Sequence, residues 1–341
     1  MSADTTAHVA AAGDTPQLPV SRVAGMERFA VAAQRHGALA VLLLGSAVAA
    51  MAFPAFATAD NLAGIAIQSS TLMIVAVGMT FVIITGGIDL SVGSVFALGG
   101  VLAAWASQWG VLPAVLLPLV VCGGIGLLNG LVIAYAGLAP FIVTLASLLG
   151  ARGLLLAVTD EGAATYLVPG ESALLDLGRG TLFGLGWPVY LAVLLGAGAA
   201  LLLQRSRYGQ AVFAIGGNEE AAALMGLPVA RVKVTTYLIS GLLAGAAGVL
   251  NAARLGSGVT ILGVGMELDA IAAVVIGGTL LTGGAGSVGG TFCGVLLLGV
   301  IQNVINQIGN LTSSVQSVVS GAFLAVVVVT QTYLSRARRL R

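Results

Sequence analysis

The run "LAGIAIQSSTLMIVAVGMTFVIIT" (62–85) carries no charged side chain in 24 residues. At about 1.5 Å per residue a helix of this length reaches ~36 Å, enough to cross the ~30 Å hydrocarbon core of a bilayer. The run is typical of its chain. Hydrophobic residues make up 58% of the sequence and charged ones 8%, with a mean hydropathy of +1.05. Globular domains carry roughly 25% charged residues. The expected fold class is therefore an all-α polytopic membrane protein.

Working outward from 62–85, ten apolar segments are predicted to span: 38–57, 62–85, 91–107, 111–137, 139–158, 187–204, 234–256, 267–282, 287–309 and 314–334. The tight hairpins at 86–90 and 283–286 read as broken turns within the membrane. The predicted domains are an N-terminal tail over 1–37, which is too poor in large apolar residues to fold, a membrane domain over 38–335, and a basic tail over 336–341. The 49 glycines suit close helix–helix approach in lipid. Cys122 and Cys293 both lie in apolar runs and read as small buried hydrophobes rather than a disulfide framework.

Basic residues orient the chain. Arg22, Arg28 and Arg35 precede the first segment, Arg205, Arg207, Arg231 and Lys233 lie in the 205–233 loop, and Arg336, Arg338, Arg339 and Arg341 follow the last segment. The 159–186 loop instead carries Asp160, Glu161, Glu171 and Asp176 against Arg179. The positive-inside rule predicts that both termini and 205–233 are cytoplasmic, which an even number of spans satisfies. A net charge of +1 argues against a nucleic-acid partner.

The loop holds a polar island, "AIGGNEEAAALMGLPVARVK" (214–233), with the only lysine of the chain. Asn218 is suited to cap a helix N-terminus. Glu219 and Glu220 then occupy the first turn, where the helix dipole favours acids. Ala221 to Met225 continue the helix, Gly226 fits the C′ position, and Pro228 prevents continuation. The prediction is a helix of about seven residues. One that short is marginal alone in water. It must pack on its own membrane domain or on a partner. A Walker A loop needs Lys followed by Ser or Thr, and Lys233 is followed by Val234. ATP, if used, must be bound by another polypeptide; no cofactor is expected on this chain.

Three stretches resemble a known family. "YGQAVFAIGGNEEAAALMGLPVARVKVTTYLISGLLAGAAGVL" (208–250), "VGMTFVIITGGIDLSVGSVFAL" (77–98) and "ELDAIAAVVIGGTLLTGG" (267–284) are similar to the permease subunits of ABC sugar importers of the ribose/xylose/galactose group, over about 40–335. The resemblance implies a permease fold in the bacterial inner membrane. It also implies a second permease subunit, an ATPase subunit docked on the cytoplasmic loop, and a periplasmic sugar-binding protein. It carries the docking role onto Gly217, Asn218, Glu219, Ala221 and Gly226. Glu220, Leu224 and Met225 complete the candidate coupling element. Within the group, 77–94, 275–291 and "IGNLTSSVQ" (308–316) look most like the galactofuranose permeases.

The remaining polar residues are candidates for the pathway or its gates. Asp89, followed by Ser91, sits between the second and third segments. It reads as a cap, a substrate contact or a gating group. An acid there usually has a partner or faces a cavity. Glu267 and Asp269 open the eighth segment on the predicted outer side, about 200° apart on a helix, so a shared metal site is poorly supported. Complementing the helix dipole, contacting Arg254, or meeting a binding protein are the open readings. Asn129, Asn303 and Gln302 offer interhelical hydrogen bonds or contacts to sugar hydroxyls. "TGGIDLSVGSVF" (85–96) is echoed by "TGGAGSVGGTF" (282–292), as duplicated halves would be.

The reading is a permease subunit, not an enzyme, for a neutral monosaccharide. Alternatives are an ABC permease for branched-chain amino acids or autoinducer-2, and an ion-coupled secondary transporter. The last would need intramembrane acids or histidines.

Overall fold

The computed structural model describes residues 37–308, with Val318, Gly321, Ala322 and Ala325. The tail 1–36, most of the predicted 314–334 segment and the basic end 336–341 lie outside the described residues.

Helices dominate: α1 (Gly37–Ala52), α2 (Ala59–Ile84), α3 (Val92–Ala106), α4 (Val111–Tyr135), α5 (Pro140–Val158), α6 (Ala173–Arg179), α7 (Trp187–Arg205), α8 (Arg207–Gly217), α9 (Glu219–Leu224), α10 (Val229–Leu255), α11 (Met266–Ile276) and α12 (Val288–Ile308). A two-residue antiparallel pair, β1 (Thr181–Leu182) and β2 (Leu185–Gly186), sits between α6 and α7. Among the described residues seven helices are long and apolar enough to cross a membrane: α2, α3 with its 3₁₀ extension to Trp109, α4, α5, α7, α10 and α12.

Burial sorts these helices into layers. Most of α2 and α3 is buried, whereas α4, α5 and α7 expose most of their apolar surface, as lipid-facing helices do. The main core joins α2, α3, α10, α11 and α12. Small residues let α10 pack closely on α3 and α4: a Cβ on Gly248 would overlap the Phe96 carbonyl oxygen.

Two glycine-rich breaks interrupt the bundle, at 85–91 and 277–287, and they touch. The Gly284 N–H donates to the Ile84 carbonyl at 2.9 Å, and the Thr80 and Thr291 hydroxyls pair at 2.7 Å. The two echoing sequences therefore meet in space.

The predicted span 267–282 is corrected. Its helix, α11, has only eleven residues, about 16 Å. The chain enters the bundle before it as irregular backbone. Gly258 packs against Val101 and Gly263 against Gly93, two positions about 12 Å apart along α3. Hence Glu267 and Asp269 do not open a span at its outer end but begin a helix beside the start of α3. Left-handed glycines at 256, 263 and 265 keep this stretch from coiling. Arg152 satisfies its carbonyls: Nη1 donates to Thr260 O at 2.8 Å, and Nη2 to Leu262 O at 3.2 Å. Irregular backbone at membrane depth is tolerated only when so buried in protein or lining a cavity.

Candidate coupling loop and translocation site

The loop between α7 and α10 folds as two helices, of which the sequence reading anticipated one. The Ser206 hydroxyl caps α8 by accepting from Gly209 N–H at 3.0 Å. Ala211, Val212 and Ile215 of α8 bury against Val77, Phe81 and Ile84 of α2. Tyr208 stacks on Phe81 and pairs its hydroxyl with Thr236 at 2.9 Å. Burial pushes the Tyr208 phenol up to about 12, so it stays neutral at any physiological pH. At the end of α8, a Cβ on Gly216 would overlap the Ile84 carbonyl oxygen and crowd Gly284 N. The loop thus rests its backbone on both glycine-rich breaks at once.

Helix α9 follows the predicted chemistry closely, with six residues rather than about seven. Asn218 Oδ1 accepts from Ala221 N–H at 2.9 Å, and Glu219 and Glu220 fill the first turn. At the C-terminus Gly226 adopts φ +80°. Its N–H donates to Ala223 O at 2.9 Å and that of Leu227 to Ala222 O at 3.1 Å, the doubly bonded ending that glycine at C′ allows. Ala222 is fully buried against the membrane domain. Lys233 Nζ lies 2.6 Å from Glu219 Oε1, an exposed pair of small energetic worth. The opposite face is unpartnered among the described residues: Leu224 is 89% and Met225 71% exposed, while Gly217 and Glu220 are also exposed.

Asp89 is 1% exposed and serves as a tie. Its Oδ1 accepts from Ser91 N–H at 3.0 Å and Ser91 Oγ at 2.6 Å; its Oδ2 accepts from Ser240 Oγ of α10 at 2.7 Å. Ser91 Oγ in turn accepts from Asn129 Nδ2 at 3.3 Å, and Asn129 Oδ1 accepts from Ser147 of α5. One acid thus joins the first break to α4, α5 and α10. Of the readings open for Asp89, Ser91 and Asn129, the geometry fits capping and interhelical hydrogen bonding: all three are buried and hydrogen-bonded to protein. Asn303 is likewise a tie, exchanging amide hydrogen bonds with Asn61 at 2.8 and 3.2 Å and accepting from Gln307 at 2.7 Å. Glu267 packs its carboxylate at Gly93.

Of the pathway candidates Asp269 and Gln302 line a cavity of about 250 Å³, bounded by α2, α11, α12 and the irregular stretch at Gly263 and Val264. Gln68, Ser69 and Thr71 join them there. Gln68, Ser69, Thr71 and Arg152 were missed in the sequence. A usable signal existed for Arg152: it is the one basic residue inside the 139–158 segment, and such a residue implies a specific partner.

The model of the "Branched-chain amino acid transport system / permease component" family matches residues 61–328. A ribose import permease protein of Haemophilus influenzae is 37% identical over 90% of this chain and 95% of its own length. One of Bacillus subtilis is 41% identical over 81% of this chain and 86% of its own. An L-arabinose ABC transporter permease protein of Azospirillum brasilense is 34% identical over 89% of each. No solved structure matches the chain.

Proposed function

We propose a function from one premise: the chain belongs to the branched-chain amino acid transport system / permease component family. It is a multi-pass membrane permease component. On our reading it is the permease subunit of an ATP-driven ABC importer in the bacterial inner membrane, and its solute is a neutral monosaccharide. The observation that carries the reading is α9, a short helix capped at both ends that presents Leu224 and Met225 to solvent. In this account those side chains seat in the ATPase subunit. The basic residues of 205–233 support a cytoplasmic position for that face, together with both termini. A second permease subunit, identical or different, encloses the path, and a periplasmic sugar-binding protein delivers the solute.

The geometry supports a route for the motion. Closure of the ATPase pair displaces α9. The displacement passes through Gly216 to the Ile84 carbonyl and Gly284, where the two breaks meet. These are the segments whose rearrangement opens the path toward one side or the other.

The relatives named for ribose and L-arabinose import support a sugar; the family's name keeps branched-chain amino acids as the rival. Galactofuranose is the finer candidate, from the motif resemblance. The test is uptake by the reconstituted importer, with its partner permease, ATPase and binding protein, of ribose, L-arabinose, galactofuranose and leucine. ATP-dependent uptake of any of these sugars supports the reading, and uptake of galactofuranose supports its refinement. Uptake of leucine without sugar overturns it.

A further inference from the structure

The cavity beside α11 differs from the rest of the membrane domain in the state of its polar groups. Elsewhere the buried polar side chains are mostly tied to protein, as Asp89, Asn129 and Thr80 are. Around the cavity, Gln68, Ser69 and Thr71 of α2, Asp269 of α11 and Gln302 of α12 make no side-chain hydrogen bond among the described residues. Ser69 and Thr71 are nevertheless buried, at 5% and 8% exposure. Gln68 is exposed and Asp269 and Gln302 are half-buried, so these groups open onto a space that a solute can enter, with hydrogen-bonding capacity that the protein does not use. The volume of about 250 Å³ falls just under the ~300 Å³ at which pockets for drug-sized ligands begin. It therefore suits a smaller solute.

We infer that this cavity is a sugar-binding subsite on the translocation path, an inference that rests on the importer reading above. Two carboxamides supply donors and acceptors together, two hydroxyls supply either, and a carboxylate accepts from two hydroxyls. That set complements a ring bearing several hydroxyls. Ile65, Leu72 and Val295 add apolar wall for the C–H faces of the ring. The lining holds an acid and no Lys or Arg, so it offers the carboxylate of an amino acid no side-chain cation. The location agrees with the physics of transport through lipid. Discontinuous helices leave irregular backbone only where it lines a cavity, and solute sites gather there. The cavity lies where the irregular stretch ends and α11 begins. Gln68 is nine residues into α2, about 14 Å from its start.

The test uses the assembled importer in proteoliposomes, with Cys122 and Cys293 replaced by alanine and single cysteines placed as Gln68→Cys, Gln302→Cys and, as a control on the exposed loop, Ala163→Cys. Labelling by a small methanethiosulfonate reagent is timed with and without saturating D-ribose or L-arabinose. Sugar is expected to slow labelling at positions 68 and 302 by about tenfold and to leave position 163 unchanged. In parallel, Gln68→Leu with Gln302→Leu is expected to raise the apparent KM for uptake about tenfold, the loss of two neutral hydrogen bonds. Gln68→Asn with Gln302→Asn should recover part of it. If wild-type importer carries sugar but neither labelling nor KM responds, the subsite is overturned and the importer reading stands. If wild type carries no sugar, the importer reading itself fails. Protection by leucine or by sodium ion in place of sugar overturns the ligand assignment.

Discussion

Replacing Asp89 is the sharpest test of how the first break is held. Three donors converge on its carboxylate: Ser91 N–H, Ser91 Oγ and Ser240 Oγ, at 3.0, 2.6 and 2.7 Å. Asp89→Ala removes the partner of all three in a site almost closed to water. Each buried donor left alone costs about 1–3 kcal/mol. Ser240 sits within α10 and can turn to a carbonyl of its own helix, which recovers part of the loss. The net cost is about 3–5 kcal/mol. At roughly 2 °C per kcal/mol for a large chain, Tm should fall by about 6–10 °C. Asp89→Asn keeps one oxygen for Ser91 and turns an amide toward Ser240 Oγ, which can accept; its cost is about 1 kcal/mol. The assay is thermal aggregation of detergent-purified protein, followed by size-exclusion fluorescence, with uptake measured beside it. The Asn variant should also keep most transport, because the tie needs acceptor geometry rather than an exchangeable ion. An Ala variant that melts with the wild type, or an Asn variant that is stable yet inert, would refute the tie.

The other contacts give direct outcomes. Gly216→Val should lower uptake per ATP hydrolysed, since its side chain would displace the Ile84 carbonyl from Gly284; ATPase and uptake rates measured in the same vesicles check this. Arg152→Leu strips the carbonyls of Thr260 and Leu262 of their donor and should loosen the irregular stretch, read as faster labelling of Ile261→Cys. Asn218→Ala removes the cap of α9 and should cost about 1 kcal/mol locally, seen as faster amide exchange over 219–224. An impermeant thiol reagent applied from outside should label Ala163→Cys and spare Glu220→Cys, and the reverse pattern would invert the topology.

Long apolar runs made much of the bundle legible. The runs 62–85, 111–137, 139–158 and 187–204 fall within a few residues of α2, α4, α5 and α7, because in lipid a segment that is apolar throughout has few options other than a helix. The caps of α9 were legible for a local reason: Asn218 and Gly226 act on backbone groups within three or four residues of themselves. The eighth segment was misread because composition alone does not distinguish a buried helix from buried irregular backbone. The irregular stretch just before it is held by Arg152, more than a hundred residues away in sequence. The roles of the polar residues in the spans were left open in the sequence for the same reason. A polar residue in a span signals a partner, and whether that partner is protein, as for Asn129 and Asn303, or a cavity, as for Asp269, is decided by packing between distant helices.

The central claim is that ATP-driven motion enters the membrane domain through α9. Leu224→Asp and Met225→Asp place a charge where the ATPase subunit is proposed to seat. Both positions are exposed in this chain, so its own folding should be unaffected, whereas an unpaired charge in a packed contact costs several kcal/mol. The decisive measurement is ATP hydrolysis and sugar uptake recorded together in proteoliposomes of the complete importer. The account predicts that either variant melts like the wild type and loses at least about tenfold in sugar carried per ATP. Wild-type uptake per ATP in both variants would contradict it.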